Sequence, residues 1–309
     1  MSLFDRVMVA ALPLVPRFLV WRLARRYVAG ESLADAVARL RQLRGDGFGG
    51  ILDVLGEAIE SPDEARAAAD EYRRALVALA PDDVDTPISV KPTHLGAMLD
   101  RSLCERLLSD LCERAAADGR RVRLEMEDAP TIDATLAVFS AVAARHDNLG
   151  CVIQSRLFRT ADDVARLLAE RSGTPLDVRL VKGIYLEPAS IAWTDDADIS
   201  RSYVEVARTL LDGGARVGLA THDDALAEAC LELVRERGLD APPAAERSYE
   251  FQCLMGVRAP FAARLRDDGH RVRIYVPYGK DWHAYSMRRL TRNPEIARHV
   301  MRAALGFER

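Results

Sequence analysis

Two adjacent arginines near the end of the sequence follow a tyrosine at helical spacing. Tyr285, Arg288 and Arg289 occupy positions i, i+3 and i+4 of the stretch HAYSMRRL, so a helix would bring their side chains to one face. Two guanidinium groups can bind a carboxylate through paired hydrogen bonds, and a phenol adds an apolar wall with a polar tip. The spacing therefore indicates either a site for a small carboxylic acid or a solvated basic face of a helix.

Lysine is rare in this chain. It occurs only at Lys91, Lys182 and Lys280, so all but three of the 43 basic residues are arginine. Because a compact ammonium and a planar guanidinium suit different partners, each lysine indicates a specific requirement. Lys91 follows the apolar run ISV and Lys182 follows VRLV, which places both at the ends of predicted strands. We therefore treat these two lysines as candidate site residues.

Other polar residues also lie at or near the carboxyl ends of predicted strands. They are Glu125 and Glu127 in RLEMED, Gln154 after CVI, Arg179 in VRLVKGIY, Thr221 and His222 after GLA, Gln252 in YEFQCL and Tyr275 in RIYVPYG. In a barrel of parallel strands this face carries the functional site, so these residues are candidates for one cavity. Cations and tyrosines around one cavity favour a pocket for a small amino or hydroxy acid.

Several of these residues also have ordinary structural explanations. Glu125 and Glu127 could be ion-paired inside a barrel, and His222 could be a hydrogen-bonded core histidine. Lys182 could instead form a Schiff base with a carbonyl substrate, as in an aldolase-type lyase. No predicted strand carries an HxH pair, which disfavours a metallohydrolase.

Eight short apolar runs alternate with longer stretches of helical period. The predicted strands are Ile51 to Leu55, Ile88 to Val90, Val122 to Met126, Cys151 to Gln154, Val178 to Val181, Val217 to Ala220, Tyr249 to Cys253 and Val272 to Val276. Amphipathic stretches such as DDVARLLAERSG lie between them and end in glycine. Eight such units without a Pro/Gly-rich linker predict a (β/α)8 barrel over residues 49–309, after an N-terminal helical arm over residues 1–48.

The main alternative fold is an open doubly wound sheet. GDGFGG, from Gly45 to Gly50, matches the GxGxxG pattern of dinucleotide-binding turns. However, the helical pattern SLADAVARLRQLR precedes it and a strand follows it, which is the reverse of the order in a dinucleotide fingerprint. We therefore interpret this stretch as a helix-to-strand loop.

Composition narrows the classes of function. Of the 309 residues, 49% are hydrophobic and 29% are charged, a balance typical of soluble globular proteins, and the net charge of -4 argues against a nucleic-acid partner. The five cysteines form no CxxC pair, which indicates reduced thiols in a cytosolic protein. The apolar run from Val7 to Val15 is too short to span a bilayer. It predicts a helical arm that packs on the body, or less strongly one that contacts the inner face of a membrane from the cytoplasm.

Seven motifs together resemble one enzyme family. VKPTHLG, RLEMED, VRLVKGIYLEP, GLATHD, YEFQCLMGV, RIYVPYGKDW and YSMRRL occur in the order and spacing of the proline dehydrogenases, in particular the short monofunctional bacterial type. The resemblance runs from about Ile51 to Leu290. It implies a distorted (β/α)8 barrel that holds FAD non-covalently and oxidises L-proline to 1-pyrroline-5-carboxylate. Hydride would pass from proline C5 to flavin N5, and the electrons would then reach a membrane quinone.

The resemblance also implies roles for individual residues. Glu125 and Arg179 would be catalytic, with Arg179 against the flavin near N5. The proline carboxylate would be bound by Lys91, Arg288 and Arg289. The walls of the ring pocket would be Tyr185, Leu254, Tyr275 and Tyr285. Further cofactor contacts would come from Met126, Gln154, Lys182, Gly183, Ile184, Thr221 and His222.

Three positions depart from the family pattern. Glu125 stands where the family usually has aspartate, Ile184 where it often has alanine, and Arg292 where a glutamate near the flavin tail is common. That last contact is therefore not carried over. Tyr275 favours proline over hydroxyproline, because hydroxyproline-oxidising relatives have a smaller residue at this position. Two alternatives from other classes stay open: a lyase that uses Lys182, and a catalytically inactive barrel that serves as a binding protein.

Overall fold

Eight parallel strands close into a barrel in chain order. The computed structural model describes residues 17–56, 59–79, 86–171, 173–243 and 247–292, without the side chains of 17–19, 23 and 288–292. The strands are β1 (Gly49–Val54), β2 (Ile88–Val90), β3 (Val122–Leu124), β4 (Leu149–Gln154), β5 (Asp177–Val181), β6 (Arg216–Ala220), β7 (Tyr249–Leu254) and β8 (Val272–Tyr278). Each strand pairs with the next, and β1 closes the ring against β8. The predicted (β/α)8 barrel is confirmed, and the doubly wound alternative is wrong.

The predicted end of the third strand is also wrong. β3 ends at Leu124, so Glu125 and Met126 belong to the loop that follows it. The backbone N–H of Glu125 still donates to Val90 O at 2.9 Å, but the chain then turns towards a 3-10 helix at Ala129–Thr131. Glu125 therefore stands at the carboxyl mouth of the barrel.

The helices surround the strands in the expected alternation. They are α1 (Arg17–Ala24), α2 (Leu33–Gly45), α3 (Pro62–Leu79), α4 (Arg101–Ala117), α5 (Ile132–Ala143), α6 (Thr160–Glu170), α7 (Asp196–Asp212), α8 (Asp224–Glu236), α9 (Ala259–Asp267) and α10 (Trp282–Arg292). Because α2 ends at Gly45 and β1 begins at Gly49, GDGFGG is a helix-to-strand loop, as predicted. A Cβ at Gly50 would collide with Leu40, so this glycine lets α2 pack closely on β1.

Local hydrogen bonds anchor the loop between β6 and α8. Asp223 caps the start of α8 by accepting hydrogen bonds from Ala225 N and Leu226 N at 3.0 and 3.2 Å. Leu226 and Cys230, four residues apart, are buried on the face that packs on the barrel. Asp223 N also donates to Thr221 Oγ1 at 3.0 Å. The loop between β6 and α8 is therefore held at both ends.

Charged side chains occupy the barrel interior near the amino ends of the strands. Arg123 donates to Asp177 at 2.6 Å, and Arg273 donates to Glu250 at 2.7 Å. Burial alone would raise the pKa of each carboxyl, but the neighbouring arginines lower it on balance. Charged groups are stable inside a protein only when they are paired in this way. These pairs form the layer beneath the site.

The segment that precedes β1 contacts two different parts of the barrel. Helix α2 packs on β1 and β8, whereas α1 packs on α10. The predicted division between arm and barrel at residue 48 stays a prediction. The apolar run from Val7 to Val15 lies outside the described residues.

Two further expectations concern cysteines and membrane spans. All five cysteines are buried and unpaired, in agreement with the prediction of reduced thiols. In the part of the chain that the structure describes, no helix is long and apolar enough to cross a bilayer.

Candidate active site

An ion pair lies inside the barrel, just below the carboxyl ends of the strands. Arg179 Nη1 donates to Glu125 Oε1 at 2.5 Å, and Arg179 is only 5% exposed. The sequence placed Arg179 near the end of its strand, but it lies in the middle of β5 and its side chain crosses the barrel interior. The two residues predicted to be catalytic are therefore in direct contact.

The guanidinium of Arg179 is held by two more side chains. Its Nε donates to Gln252 Oε1 of β7 at 2.6 Å, and its Nη2 donates to Ser89 Oγ of β2 at 3.3 Å. Arg179 and Gln252 meet across β6, where Gly218 has no side chain. A Cβ at Gly218 would lie 2.5 Å from Gln252 Nε2. Gly218 therefore provides the space for a contact between β5 and β7.

Gln252 also connects the site to the layer beneath it. Its Nε2 donates to Glu250 Oε1 at 2.7 Å, and Glu250 is itself bound by Arg273 and Arg271. The amide of Gln252 is thus fixed at both its donor and its acceptor atom. A glutamine restrained in this way presents its oxygen to Arg179 in one orientation.

Both members of the central ion pair are ionised at neutral pH. Burial alone would raise the pKa of Glu125, but Arg179 and the hydroxyl of Ser89 outweigh burial and lower it. Burial would lower the pKa of Arg179, but Glu125 raises it on balance. The barrel therefore keeps a permanent, well-oriented positive group near its mouth.

Lys91 forms a second ion pair beside the first. It directly follows β2, and its Nζ donates to Asp53 Oδ1 of β1 at 2.7 Å and to Val54 O at 3.1 Å. Burial alone would lower the pKa of Lys91, but Asp53 raises it on balance. An ammonium carries three donors, and these two acceptors account for two of them.

Tyr275 lies in β8 between the two ion pairs. The Cζ atom of Arg179 is 5.0 Å from the centroid of its ring, and its hydroxyl donates to Glu125 Oε1 at 3.3 Å. Burial raises the pKa of Tyr275 well above its usual value, and the nearby Asp53 and Glu125 add to that effect. Tyr275 is therefore a neutral phenol packed on a guanidinium.

A second group of predicted residues lies at the ends of β5 and β6. Lys182 Nζ is 3.1 Å from both carboxylate oxygens of Asp196 and 3.2 Å from Asp223. His222 Nε2 accepts a hydrogen bond from Leu254 N at 2.9 Å, so this nitrogen carries no proton. The partly exposed histidine is thus fixed against β7 by one of its ring nitrogens, and its predicted contact with a cofactor stays a prediction.

Gln154 and Gly183 form the part of the site that best fits a planar cofactor. Gln154 Nε2 donates to Glu127 O at 2.7 Å, whereas its buried Oε1 has no hydrogen-bond partner among the described residues. Gly183 has φ of 98°, and a Cβ there would lie 2.6 Å from that oxygen. A buried acceptor without a donor needs an explanation. The imide N–H at the edge of an isoalloxazine would supply the donor, so these residues fit a flavin.

The other predicted contacts differ in burial. Met126 and Thr221 are buried, and Leu254 and Tyr285 are partly exposed. Ile184 is 64% exposed, so the structure does not bring it into the buried cluster. The backbone carbonyl of Tyr185 accepts a hydrogen bond from Arg156.

The arginines after Tyr285 lie on a helix, as their spacing predicted. Helix α10 includes Tyr285, Arg288 and Arg289. The side chains of these two arginines, like that of Arg292, lie outside the described residues, so their roles stay predictions.

Two residues of the central cluster escaped sequence reasoning. Asp53 stands inside the apolar run ILDVL, and Ser89 is the middle residue of ISV. They are register partners on β1 and β2. A carboxylate within a strand that is otherwise apolar was the available signal, because such a group requires a buried partner. Gln252 was noticed at its strand end but received no role.

The fold and the site together define a class of protein. A (β/α)8 barrel carries two ion pairs, a buried phenol and an unsatisfied amide oxygen near the carboxyl ends of its strands. This is the face on which barrel enzymes perform their chemistry, so the class is a barrel enzyme.

Comparison with known proteins identifies the family. The model of the family described as proline dehydrogenase matches residues 36–302. The chain is 33% identical over 291 residues to a proline dehydrogenase from Deinococcus radiodurans, covering 93% of this chain and 91% of the relative. It is also 33% identical over 282 residues to proline dehydrogenase 1 from Bacillus subtilis, covering 91% and 90%. The chain belongs to the proline dehydrogenase family, which is a family of oxidoreductases.

Solved structures agree with this fold. Proline utilization A from Bdellovibrio bacteriovorus, inactivated by N-propargylglycine, superposes with a TM-score of 0.80 at 26% identity and covers 87% of this chain. A proline utilization A from Bradyrhizobium japonicum gives a TM-score of 0.74 at 22% identity, over 90% of this chain. This chain spans 32% of the length of either structure.

Proposed function

We propose that the protein is an FAD-dependent dehydrogenase that oxidises L-proline to 1-pyrroline-5-carboxylate. Membership of the proline dehydrogenase family supports the reaction. The environment of the Gln154 and Arg179 side chains is the observation that supports FAD as the cofactor. A buried amide oxygen without a partner and a fixed guanidinium stand on strands β4 and β5, which are neighbours. This combination suits an isoalloxazine that binds non-covalently.

The cofactor would supply the redox chemistry, and the protein would supply position and charge. Bound FAD would accept at N5 the hydride that leaves proline C5. Arg179 would place a fixed positive charge beside the reducible edge, where negative charge develops. Glu125 would act catalytically by keeping Arg179 in that position and ionised. Further contacts to the cofactor would come from Met126, Gln154, Lys182, Gly183, Ile184, Thr221 and His222.

The substrate would be bound through its carboxylate. Lys91 has an ammonium donor beyond those used by Asp53 and Val54, and Arg288 and Arg289 would add two guanidinium groups from α10. The walls of the ring pocket would be Tyr185, Leu254, Tyr275 and Tyr285. Three cations at one end and apolar walls at the other would orient the ring, and orientation lowers the barrier to hydride transfer.

The electrons would leave the site to a quinone. An apolar acceptor of this kind agrees with the expectation that the protein works in the cytoplasm, with peripheral contact at the inner face of the membrane. The sequence expectation of a barrel over residues 49–309 with an N-terminal arm belongs to the same proposal.

The alternative functions receive less support. A lyase would need a desolvated amine at Lys182, but that ammonium lies between Asp196 and Asp223. Oxidation of hydroxyproline would need extra room at Tyr275, but the ring of Tyr275 packs on Arg179 and its hydroxyl donates to Glu125. An inactive barrel would have no reason to keep Gln154 Oε1 without a donor.

A single spectroscopic experiment tests the proposal. The purified protein is expected to bind FAD and show visible flavin absorbance, which should bleach when L-proline is added without oxygen. The same protein mixed with D-proline is the control and should keep its colour. A protein that does not bind FAD, or whose flavin is not reduced by L-proline, would refute the proposal.

A further inference from the structure

The segment from residue 20 to residue 31, here called the N-terminal clasp, crosses the carboxyl end of β8. Ala29 N donates to Pro277 O at 2.8 Å, and Gly279 N donates to Gly30 O at 3.1 Å. These two backbone hydrogen bonds lie on either side of Tyr278, the last residue of β8. The clasp is thus bonded to the chain just before α10 begins.

The clasp also contacts the first residue of α10. The rings of Trp21 and Trp282 have centroids 4.6 Å apart with an interplanar angle of 54°. Trp282 Nε1 donates to Glu31 Oε1 at 2.6 Å. Trp282 is only 4% exposed, so its ring is held on one side by an indole and at its edge by a carboxylate.

The loop after β7 also packs closely against the N-terminal clasp. Gly256, which follows β7, has φ of 75°, and a Cβ there would collide with the carbonyl of Arg26. Val20, Ala24 and Val28 are buried, so the clasp has an apolar face of its own. The clasp therefore lies across the ends of both β7 and β8.

Helix α10 makes its main contact with this same segment. Among the described elements, α10 packs chiefly against α1, whose residues 20–24 form the first part of the clasp. Arg288 is six residues beyond Trp282, about 9 Å along the helix axis. A small tilt at Trp282 therefore shifts the following turns by a distance comparable to the tolerance of a hydrogen bond.

We propose that Trp21 and Glu31 are positioning residues that fix α10 through Trp282. The clasp would thereby set the affinity of the site for the carboxylate of the substrate. This inference rests on the proposed function, because it takes Arg288 and Arg289 of α10 as ligands of that carboxylate. It gives the N-terminal segment a role in substrate binding without contact with the substrate.

Two pairs of variants test the inference in the full-length protein with FAD. Glu31→Ala removes the acceptor for Trp282 Nε1, whereas Glu31→Gln keeps an oxygen there. Trp282→Phe removes the donor and keeps an aromatic ring. Tyr249→Phe is the control, because it also removes side-chain hydrogen bonds, to His270 at 3.0 Å and from Arg247 at 3.3 Å, but at the amino end of β7.

The expected result is a selective loss of substrate affinity. Glu31→Ala and Trp282→Phe should raise KM for L-proline about fivefold, as expected for the loss of one ordinary hydrogen bond, with kcat changed less than twofold. Glu31→Gln and Tyr249→Phe should keep the KM of the unmodified protein. The dissociation constant of tetrahydro-2-furoic acid, in which oxygen replaces the ring nitrogen of proline, should rise in parallel with KM.

Two results would overturn the inference. One is an unchanged KM in Glu31→Ala and Trp282→Phe. The other is a change in all variants, including Tyr249→Phe, that follows the loss of thermal stability. Failure of the proposed function is distinguished from both, because then the unmodified protein itself would not reduce its flavin with L-proline.

Discussion

The inside of the barrel and its rim hold their side chains in different ways. Inside, Arg179 is bound by Glu125, Gln252 and Ser89 from three other parts of the ring. On the rim, Ile184 and Leu186 are largely exposed. Under the proposed function, the interior thus fixes the charge that assists hydride transfer, whereas the exposed rim contacts the molecules that bind. Substitutions in the interior should therefore affect the rate of the reaction, and substitutions on the rim should affect binding.

The largest effect is expected at Arg179. Arg179→Met keeps the aliphatic stem but leaves Glu125 buried without its partner. The free energy of unfolding should fall by about 3 kcal/mol. The rate of flavin reduction by L-proline should fall about 100-fold, because a fixed charge at the reacting edge is lost. Urea unfolding and stopped-flow absorbance measure the two quantities. Reduction at the original rate would show that the guanidinium does not assist the reaction.

Glu125 should give a smaller effect that depends on pH. Glu125→Gln keeps a hydrogen-bond acceptor but removes the charge, and stability at neutral pH should fall by about 2 kcal/mol. The lowered pKa of Glu125 means that its charge stabilises the fold above the unfolded value of about 4.3. That advantage is lost as the pH falls through the lower folded value.

The test of this prediction is a pair of urea titrations at several pH values. The difference between the original protein and Glu125→Gln should be constant near neutral pH and should shrink in acid. A difference that grows in acid would contradict the assigned charge of Glu125.

On the rim, Lys182 should affect the cofactor and not the chemical step. Lys182→Met removes the ammonium between Asp196 and Asp223 and leaves two carboxylates close together. The dissociation constant of FAD should rise about tenfold, while flavin that is bound should be reduced at the original rate. Lys280→Met, at an exposed position, is the control and should change neither quantity. If both lysine variants raised the dissociation constant of FAD equally, the cause would be the lower net charge and not the position of Lys182.

The smallest effects are expected at Gln252 and Ser89, which both contact Arg179. Gln252→Leu removes the acceptor for Arg179 Nε and leaves the ion pair with Glu125 in place. A loss of about 1 kcal/mol, typical of one hydrogen bond, should slow flavin reduction about fivefold with KM unchanged. Ser89→Ala removes only a 3.3 Å contact and should have less effect. A larger change in KM than in the rate would show that Gln252 acts in substrate binding. The expected difference between interior and rim substitutions would then be wrong.

The sequence predicted the strands well because their signal is local. Runs such as ISV and CVIQ are apolar over consecutive residues and need no distant partner to be recognised. The identity of the motif residues likewise predicted that Glu125, Arg179 and Tyr275 belong to one site.

The contacts within the site could not be predicted in the same way. The pair Lys91 and Asp53 joins residues that are 38 positions apart, and the pair Arg179 and Gln252 joins residues 73 positions apart. Which side chains meet depends on strand register and on the direction in which each residue points. Asp53 was therefore read as part of an apolar run, although it carries the charge that holds Lys91.

Gly218 is a point at which one small substitution would reach the central ion pair. Strands β5 and β7 are both bonded to β6 and not to each other, yet their side chains meet because residue 218 has only a hydrogen atom on its α-carbon. The substitution Gly218→Ala would add one methyl group, which would displace the side chain of Gln252 and, through it, the guanidinium of Arg179. Under the proposed function, a substitution at residue 218 would therefore change the reactivity of the site through Gln252 and Arg179.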